Sequence, residues 1–416
     1  MAPIRQEEFL ETQANFILDR CTKCGKCVEV CPMRAHTSIK ADDPGEVASG
    51  IIGLLRSAEP SEAARIFVNA CSGSALCRDV CPDGIDPYNM MRLAKVRLAR
   101  LDGKRPPASD YKLIDWSMRA QIGSSEPRWF TRRPPSDARA EVVFYMGCNI
   151  MRTPHIALSV MDLLDSLGVD YATVGGGANC CGIKQFRVGL PAAETVARNT
   201  FDNFASLEPK EVVSWCPTCE VHFTDFGATY VERDFPINHI SRFLLARLDQ
   251  LRPLLRPLPM RVVLEAHAPL HPGDSVTEDL TTILSAIPEL AVLPTEQHAY
   301  GYQCASISLP GALEAALDQV LNEAERVEAD ALVSVYHGCH RQLVKAAAER
   351  RTAFEVVNWV SLLARSLGSE RPDRYRAYAL LGEESAILEE ALALDWGQGI
   401  SLDSLRQAIQ WEFGKP

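Results

Sequence analysis

The chain has 416 residues, 47% hydrophobic and 23% charged, the balance of a globular protein with enough chain for two or three cores. A formal net charge of −11 argues against nucleic acid as a general partner, and no apolar run reaches the length needed to cross a bilayer. The amino terminus lacks the apolar segment of a secretory signal, so the fourteen cysteines read as reduced, metal-bound thiols of a cytoplasmic protein, not as disulfides.

Residues 1–20 pattern as a short amphipathic helix carrying Phe9, Ala14, Phe16, Ile17 and Leu18. Next comes Cys21-Thr-Lys-Cys24-Gly-Lys-Cys27-Val-Glu-Val-Cys31-Pro32. This C-x2-C-x2-C-x3-C-P run is the bacterial ferredoxin arrangement for a cubane iron–sulfur cluster, in which the fourth cysteine serves the other cluster of a two-cluster fold. Zinc sites more often show separated C-x2-C pairs. The insert 32–70 holds two expected helices, one around Ile51–Leu55 and one opened by Ser61 as N-cap, so the module looks like an all-helical, expanded ferredoxin plan.

The run then recurs as Cys71-Ser-Gly-Ser74-Ala-Leu-Cys77-Arg-Asp-Val-Cys81-Pro82, with Ser74 where the second cysteine belongs. Crossing of the fourth ligands assigns Cys21, Cys24, Cys27 and Cys81 to one four-iron cluster, and Cys71, Cys77 and Cys31 to a second, four-iron or three-iron, cluster. Serine oxygen is a poorer donor than thiolate for such centres. A three-cysteine cluster is therefore favoured over weak ligation by Ser74 or a labile iron; a plain alternative is that Ser74 caps a following helix. The basic stretch Met90–Leu101 and the charges Lys104, Arg105, Arg128, Arg132 and Arg133 among Pro106, Pro107, Pro127, Pro134 and Pro135 read as a linker. Its charge is expected to be a solvated face in preference to a docking patch for a flavoprotein.

From residue 141 strands and helices alternate. Val142–Gly147, Tyr171–Val174 and Glu211–Trp215 read as strands, with Ala157–Leu167 and Ala192–Ala205 as helices. Glu211-Val-Val-Ser-Trp-Cys-Pro-Thr-Cys219 is matched 120 residues later by Ala331-Leu-Val-Ser-Val-Tyr-His-Gly-Cys339, and Val142-Val-Phe by Val262-Val-Leu. Two copies of one α/β unit are expected. The fold class is thus α+β multidomain: a helical two-cluster module (1–105), a linker (106–140), a first unit (141–252), a second, degenerate unit (260–366) and a helical appendage (367–416).

In the first unit Cys148, the pair Cys180-Cys181 followed by Gly182, and Cys216-x2-Cys219 fall at strand ends, where α/β folds build sites. At these residues the sequence resembles the cysteine-rich CCG proteins: heterodisulfide reductase B and D subunits, glycolate oxidase iron–sulfur subunits and lactate-utilisation proteins. The resemblance runs over roughly residues 10–365, in the module order of the heterodisulfide reductase D subunit. It implies a non-cubane four-iron cluster on Cys148, Cys180, Cys181, Cys216 and Cys219, with zinc on four of these thiolates as the alternative. A vicinal disulfide is the plainest reading and is disfavoured.

The second unit departs from the pattern. It has His267-Ala-Pro-Leu270, Gln303-Cys304-Ala305 and Tyr336-His-Gly-Cys339 where the family carries cysteines, so only Cys304 and Cys339 remain. His267, His271, His337 and His340 sit near the same strand ends and could complete a metal site, but are expected instead to be polar loop residues of a retired copy. Disulfide cleavage between two facing clusters, as the resemblance implies for heterodisulfide-cleaving members, is then closed in that form. No Gly-rich nucleotide motif is present. The expected function is an electron-transfer subunit taking electrons from a flavoprotein partner to an acceptor, a quinone through a membrane partner or a thiol/disulfide. A disulfide reductase subunit and a zinc-stabilised scaffold are the alternatives.

Overall fold

The computed structural model describes residues 5–106, 110–123, 139–227, 231–271, 275–297, 299–394 and 400–414. Arg128, Arg132 and Arg133 of the expected linker lie outside the described residues, as do Pro107, Pro127, Pro134 and Pro135.

The amino-terminal region is helical: α1 (Gln6–Arg20), α2 (Lys26–Glu29), α3 (Pro44–Leu55), α4 (Glu62–Ala70) and α5 (Pro87–Leu101). Side chains that satisfy orphan amides set the starts of α3, α4 and α5. Asp43 accepts from the Glu46 amide, Ser61 from Ala64, and Asp86 from Tyr88 and Asn89. Prolines 44 and 87 take the first helical position, where their missing N–H costs nothing.

The basic helix α5 is not the solvated face expected of it. Met90, Met91, Leu93, Ala94, Val96 and Leu98 are buried, and its cations are used internally. Arg92 pairs with Asp225, Arg100 grips Glu7 at 2.6 Å, and Lys95 Nζ donates to the Cys71 carbonyl at 2.6 Å. The expected linker likewise contains a helix, α6 (Tyr111–Arg119), packed on the carboxy-terminal helix Leu402–Phe413.

Two parallel four-stranded sheets follow. The first comprises β1 (Val142–Gly147), β2 (Tyr171–Gly175), β3 (Glu211–Ser214) and β4 (Ile237–His239) in the order β2-β1-β3-β4. The second comprises β5 (Met260–Leu264), β6 (Leu290–Val292), β7 (Ala331–Ser334) and β8 (Glu355–Asn358) in the order β6-β5-β7-β8. Val142 pairs with Glu211 in the first and Val262 with Ala331 in the second, each residue 120 positions after its counterpart.

Both faces of such sheets are covered, so their strands read as unbroken apolar runs. Val143, Tyr145 and Val212 face a core shared with α1, α3 and α5, whereas Val142, Phe144 and Val213 face one shared with Val262, Leu264 and Val333 of the second sheet. Trp215 stacks on Trp359 at 5.8 Å and donates its indole N–H to His337 at 3.2 Å, joining the two sheets. The carboxy-terminal helices close over this joint through Glu412, which is 1% exposed and accepts from Arg152 next to the first sheet and Arg341 beside the second.

Candidate metal centres

The two amino-terminal cysteine runs meet across short loops, tied by Thr22, whose amide and hydroxyl donate to Asp83 at 2.7 and 2.9 Å. Cys21, Cys24, Cys27 and Cys81 line one pocket, floored by Ala48, Ile85 and Met90. Cys31, Cys71 and Cys77 line a second beside it, with Ser74, Phe67 and Met91, and Cys27 borders both. The fourth cysteine of each run therefore stands in the pocket of the other. Ser74 is 8% exposed and points to no helix-capping role, because residues 76–80 form turns.

Burial pushes the Cys27 and Cys31 thiols up to about 12, and raises Cys77 as well, with neighbouring cysteines adding to it. Thiols so placed give up their protons to a cation, which lowers the pKa of whatever it coordinates. The donor set fits soft, multiply charged iron–sulfur groups.

The third cysteine set sits at the carboxyl ends of β1, β2 and β3, at the point where the chain leaves central β1 for one side and then the other. Cys148 follows β1, Cys180 and Cys181 lie in the loop after β2, and Cys216 and Cys219 open the short helix Pro217–His222 after β3. All but Cys148 are buried. The sulfurs form a hydrogen-bonded chain, Cys148 to Cys180 to Cys181 to Cys219 to Cys216. Cys148 and Cys181 hold the Cys180 thiol down to about 2 against its burial. Cys219 lowers Cys216 in the same way, while Cys148, Cys181 and Cys219 are raised.

Gly182 shapes this loop. It has φ +83°, and a Cβ there would stand 2.6 Å from the Ala193 carbonyl oxygen. Its amide donates to Cys180 Sγ at 3.5 Å. Two tyrosines complete the site: the Tyr145 hydroxyl lies 2.9 Å from the Asn179 carbonyl and 3.8 Å from Cys219 Sγ, and Tyr111 of α6 hydrogen-bonds Cys180. Sequence reasoning missed Tyr111. Only its place among prolines and charges was visible, and nothing there signals a group aimed at cysteines 37 to 108 residues away.

Of the four histidines singled out in the second unit, His267 and His271 lie in the loop after β5 and the other two do not. His337 and His340 lie in the helix His337–Arg350 and are 3% and 0% exposed. The His267 side chain is buried as well. Cys304 Sγ donates to Glu265 Oε1 at 3.1 Å, the Cys304 amide to Cys339 Sγ at 3.3 Å, and the Val335 amide to Glu265 Oε2 at 3.2 Å. His337 and His340, expected in loops, are instead helical and buried, held by Trp215 and Asp373.

Residues 17–85 match the family model of the 4Fe-4S dicluster domain, and residues 142–224 that of the cysteine-rich domain. The chain carries both. It is 23% identical over 395 residues to the D subunit of dihydromethanophenazine:CoB–CoM heterodisulfide reductase from Methanosarcina barkeri, covering 84% of this chain and 94% of that one. It is 23% identical over 329 residues to the B subunit of fumarate reductase (CoM/CoB) from Methanothermobacter marburgensis, covering 73% and 61%. Against the EtfAB:quinone oxidoreductase of Syntrophomonas wolfei the identity is 20% over 270 residues, covering 53% and 37%. The resemblance read from the cysteine runs holds, and the chain is an iron–sulfur protein related to these reductase subunits. No helix among the described residues is long and apolar enough to cross a membrane.

Proposed function

We propose that this chain is the electron-transfer subunit of a flavin-linked oxidoreductase, carrying electrons between a flavoprotein partner and a quinone or thiol/disulfide acceptor. The observation that carries the reading is the arrangement of the three cysteine sets in a row. Cys27 separates the first pocket from the second. Across a cleft of about 320 Å³, the Cys71 loop of the second faces Ile183, Phe186 and Thr218, which flank the third set. Iron–sulfur clusters, when bound, supply one-electron storage at each position.

In this reading Cys21, Cys24, Cys27 and Cys81 hold a four-iron cluster. Cys31, Cys71 and Cys77 hold a second, three-iron or with a labile fourth iron at Ser74. Cys148, Cys180, Cys181, Cys216 and Cys219 hold the non-cubane cluster, for which adjacent Cys180 and Cys181 are better suited than one corner of a cube. The protein supplies partial burial around Cys27, Cys31 and Cys77, and donors such as Gly182 N–H and Tyr111 that tune the third set. The second sheet is then a degenerate copy that covers the row, its Tyr302 packed on Gly73 and its Ser306 hydroxyl donating to the Ser72 carbonyl at 2.6 Å.

A heterodisulfide reductase role is a second reading, favoured by the reach of the similarity over 94% of the Methanosarcina barkeri relative. It needs an acceptor chemistry at one cysteine-rich cluster instead of two, since Cys304 and Cys339 alone remain in the second sheet. The experiment is a stepwise anaerobic reduction followed by paramagnetic resonance. Three distinct centres support the electron-transfer reading, and a signal perturbed by added thiol shifts weight to the second. A protein with zinc and no inorganic sulfide would overturn both.

A further inference from the structure

The strand ends of the second sheet bring together four donor side chains that the electron row does not use. Glu265 directly follows β5 and His267 lies two residues beyond it, Cys304 follows β6, and Cys339 sits in the first turn of the helix after β7. Donor atoms of Glu265, Cys304 and Cys339 all lie within 4.8 Å of one another. His267 Nε2 stands 3.3 Å from Cys339 Sγ and 3.2 Å from Glu265 Oε2. Glu265, Cys304 and Cys339 are 5%, 7% and 0% exposed, and the His267 side chain is 3% exposed.

We propose that Glu265, His267, Cys304 and Cys339 form a zinc site, separate from the iron–sulfur sites. The chemistry of the set selects the ion. Two thiolates, one imidazole and one carboxylate make a four-donor shell of the kind tetrahedral Zn²⁺ takes, whereas iron–sulfur cubes call for three or four thiolates. A cavity of about 30 Å³ adjoins Glu265, His267 and Cys304, above the ~10–15 Å³ that a single water or ion requires.

The electrostatics point the same way. Among the described residues no lysine or arginine pairs with Glu265; its one ion-pair partner is His267. A single imidazole is a small counter-charge for a buried carboxylate beside two cysteines. His267 Nδ1 finds no hydrogen-bond partner among the described residues, so the polar contacts of the ring are those of Nε2, which faces Cys339 and Glu265. Because the four donors come from three successive strand ends, one ion would fasten β5, β6 and β7 together where the parent pattern used five cysteines.

The test uses the full chain purified without oxygen and measures metals by mass spectrometry together with the X-ray absorption of zinc. The expected result is about one zinc per chain in a shell of two sulfurs and two lighter atoms, with zinc falling below about 0.1 per chain in Cys339→Ser while iron and sulfide hold. Glu265→Gln, which keeps the shape of the site, should weaken zinc retention against a chelator by about 10-fold or more. Failure of Cys339→Ser to fold leaves the absorption of the unaltered protein to decide. Wild-type protein that neither contains zinc nor takes up added Zn²⁺, or zinc that persists in Cys339→Ser, overturns the proposal. So does a zinc shell of four sulfurs, which would place the ion in the first unit and count instead against the iron–sulfur reading there.

Discussion

Replacing Glu412 with glutamine measures how firmly the carboxy-terminal helices lock the two sheets together. The carboxylate accepts from Arg152 Nε and Nη2 at 2.6 and 2.7 Å, from Arg341 at 3.3 Å and from the Tyr375 hydroxyl at 3.0 Å. Glu412, Arg152 and Arg341 side chains are only 1%, 17% and 11% exposed, so solvent screens the cluster little. Glutamine keeps the volume but leaves two buried guanidiniums without an anion, at a cost of about 3–5 kcal/mol. With an unfolding entropy of about 2.1 cal/mol/K per residue, a cooperative loss of the whole chain would come about 3–6 °C earlier. Trp411, stacked under Arg152 at 4.1 Å, supplies a fluorescence signal for an anaerobic melt. The two arginines outweigh burial and hold the Glu412 carboxyl below its usual value. Its contribution is therefore complete above the unfolded value near 4.3 and is lost as pH falls through the lower folded value. The triple variant Arg152→Met, Arg341→Met, Glu412→Leu should melt near wild type, because well-packed apolar groups can replace a buried ion cluster. A Glu412→Gln protein melting within about 1 °C of wild type, or a triple variant as damaged as the single one, would refute the reasoning.

Three further outcomes follow from the sites. Ser74→Cys should convert a three-iron or labile paramagnetic signal of the second pocket into a four-iron one; an unchanged spectrum removes Ser74 from that cluster. Cys181→Ala should abolish the signal of the five-cysteine set while the two amino-terminal centres persist, and loss of all centres together would mean that the sites are not independent. His337 is held neutral by burial, and by the nearby Arg341 and Arg152, down to about 3. Below the unfolded value near 6.5 the unfolded chain binds a proton that the folded one does not, so stability drops by about 2 kcal/mol per such imidazole at pH 5. His337→Asn should flatten that slope by about one proton between pH 6.5 and 5; an unchanged slope, read from urea midpoints, assigns the acid sensitivity elsewhere.

The cysteine runs were legible because ligand spacing is a local property: x2, x2 and x3 fix which sulfurs share a loop. Strands β1, β2 and β3 were legible as short apolar runs closed by cysteine or glycine, and α4 by its Ser61 cap. Long-range placement was not. The charges of α5 pattern as a solvated face, yet Arg92 and Lys95 meet Asp225 and the Cys71 carbonyl from other parts of the chain. Tyr111 and Glu412 give no local sign of the partners they find. The histidines of the second sheet look like loop residues because pattern reading asks only whether cysteine is present. What decides their burial is Trp215, Asp373 and Glu265, which meet His337, His340 and His267 only in the folded chain.

Two departures from the cysteine pattern, far apart in sequence, meet in space. The loop ending at Ser74 is pressed against the second sheet: a Cβ on Gly73 would lie 2.5 Å from the Tyr302 ring, and Ser72 and Ser306 exchange hydrogen bonds across the joint with the Tyr300 and Ser72 carbonyls. Residues 303–305, Gln-Cys-Ala where the resemblance implies Cys-Cys-Gly, follow directly. The Gln303 amide donates to Thr218 Oγ1 at 2.6 Å, between Cys216 and Cys219. A change at this one junction therefore touches the second pocket, the five-cysteine set and the four donors of the second sheet together. If the second sheet has exchanged redox work for a fixed ion, the surface that must stay rigid is this contact. Gln303→Ala should then alter the spectroscopic signature of the five-cysteine set, though it removes no sulfur, by releasing Thr218. A spectrum indifferent to that change would separate the second sheet from the electron row.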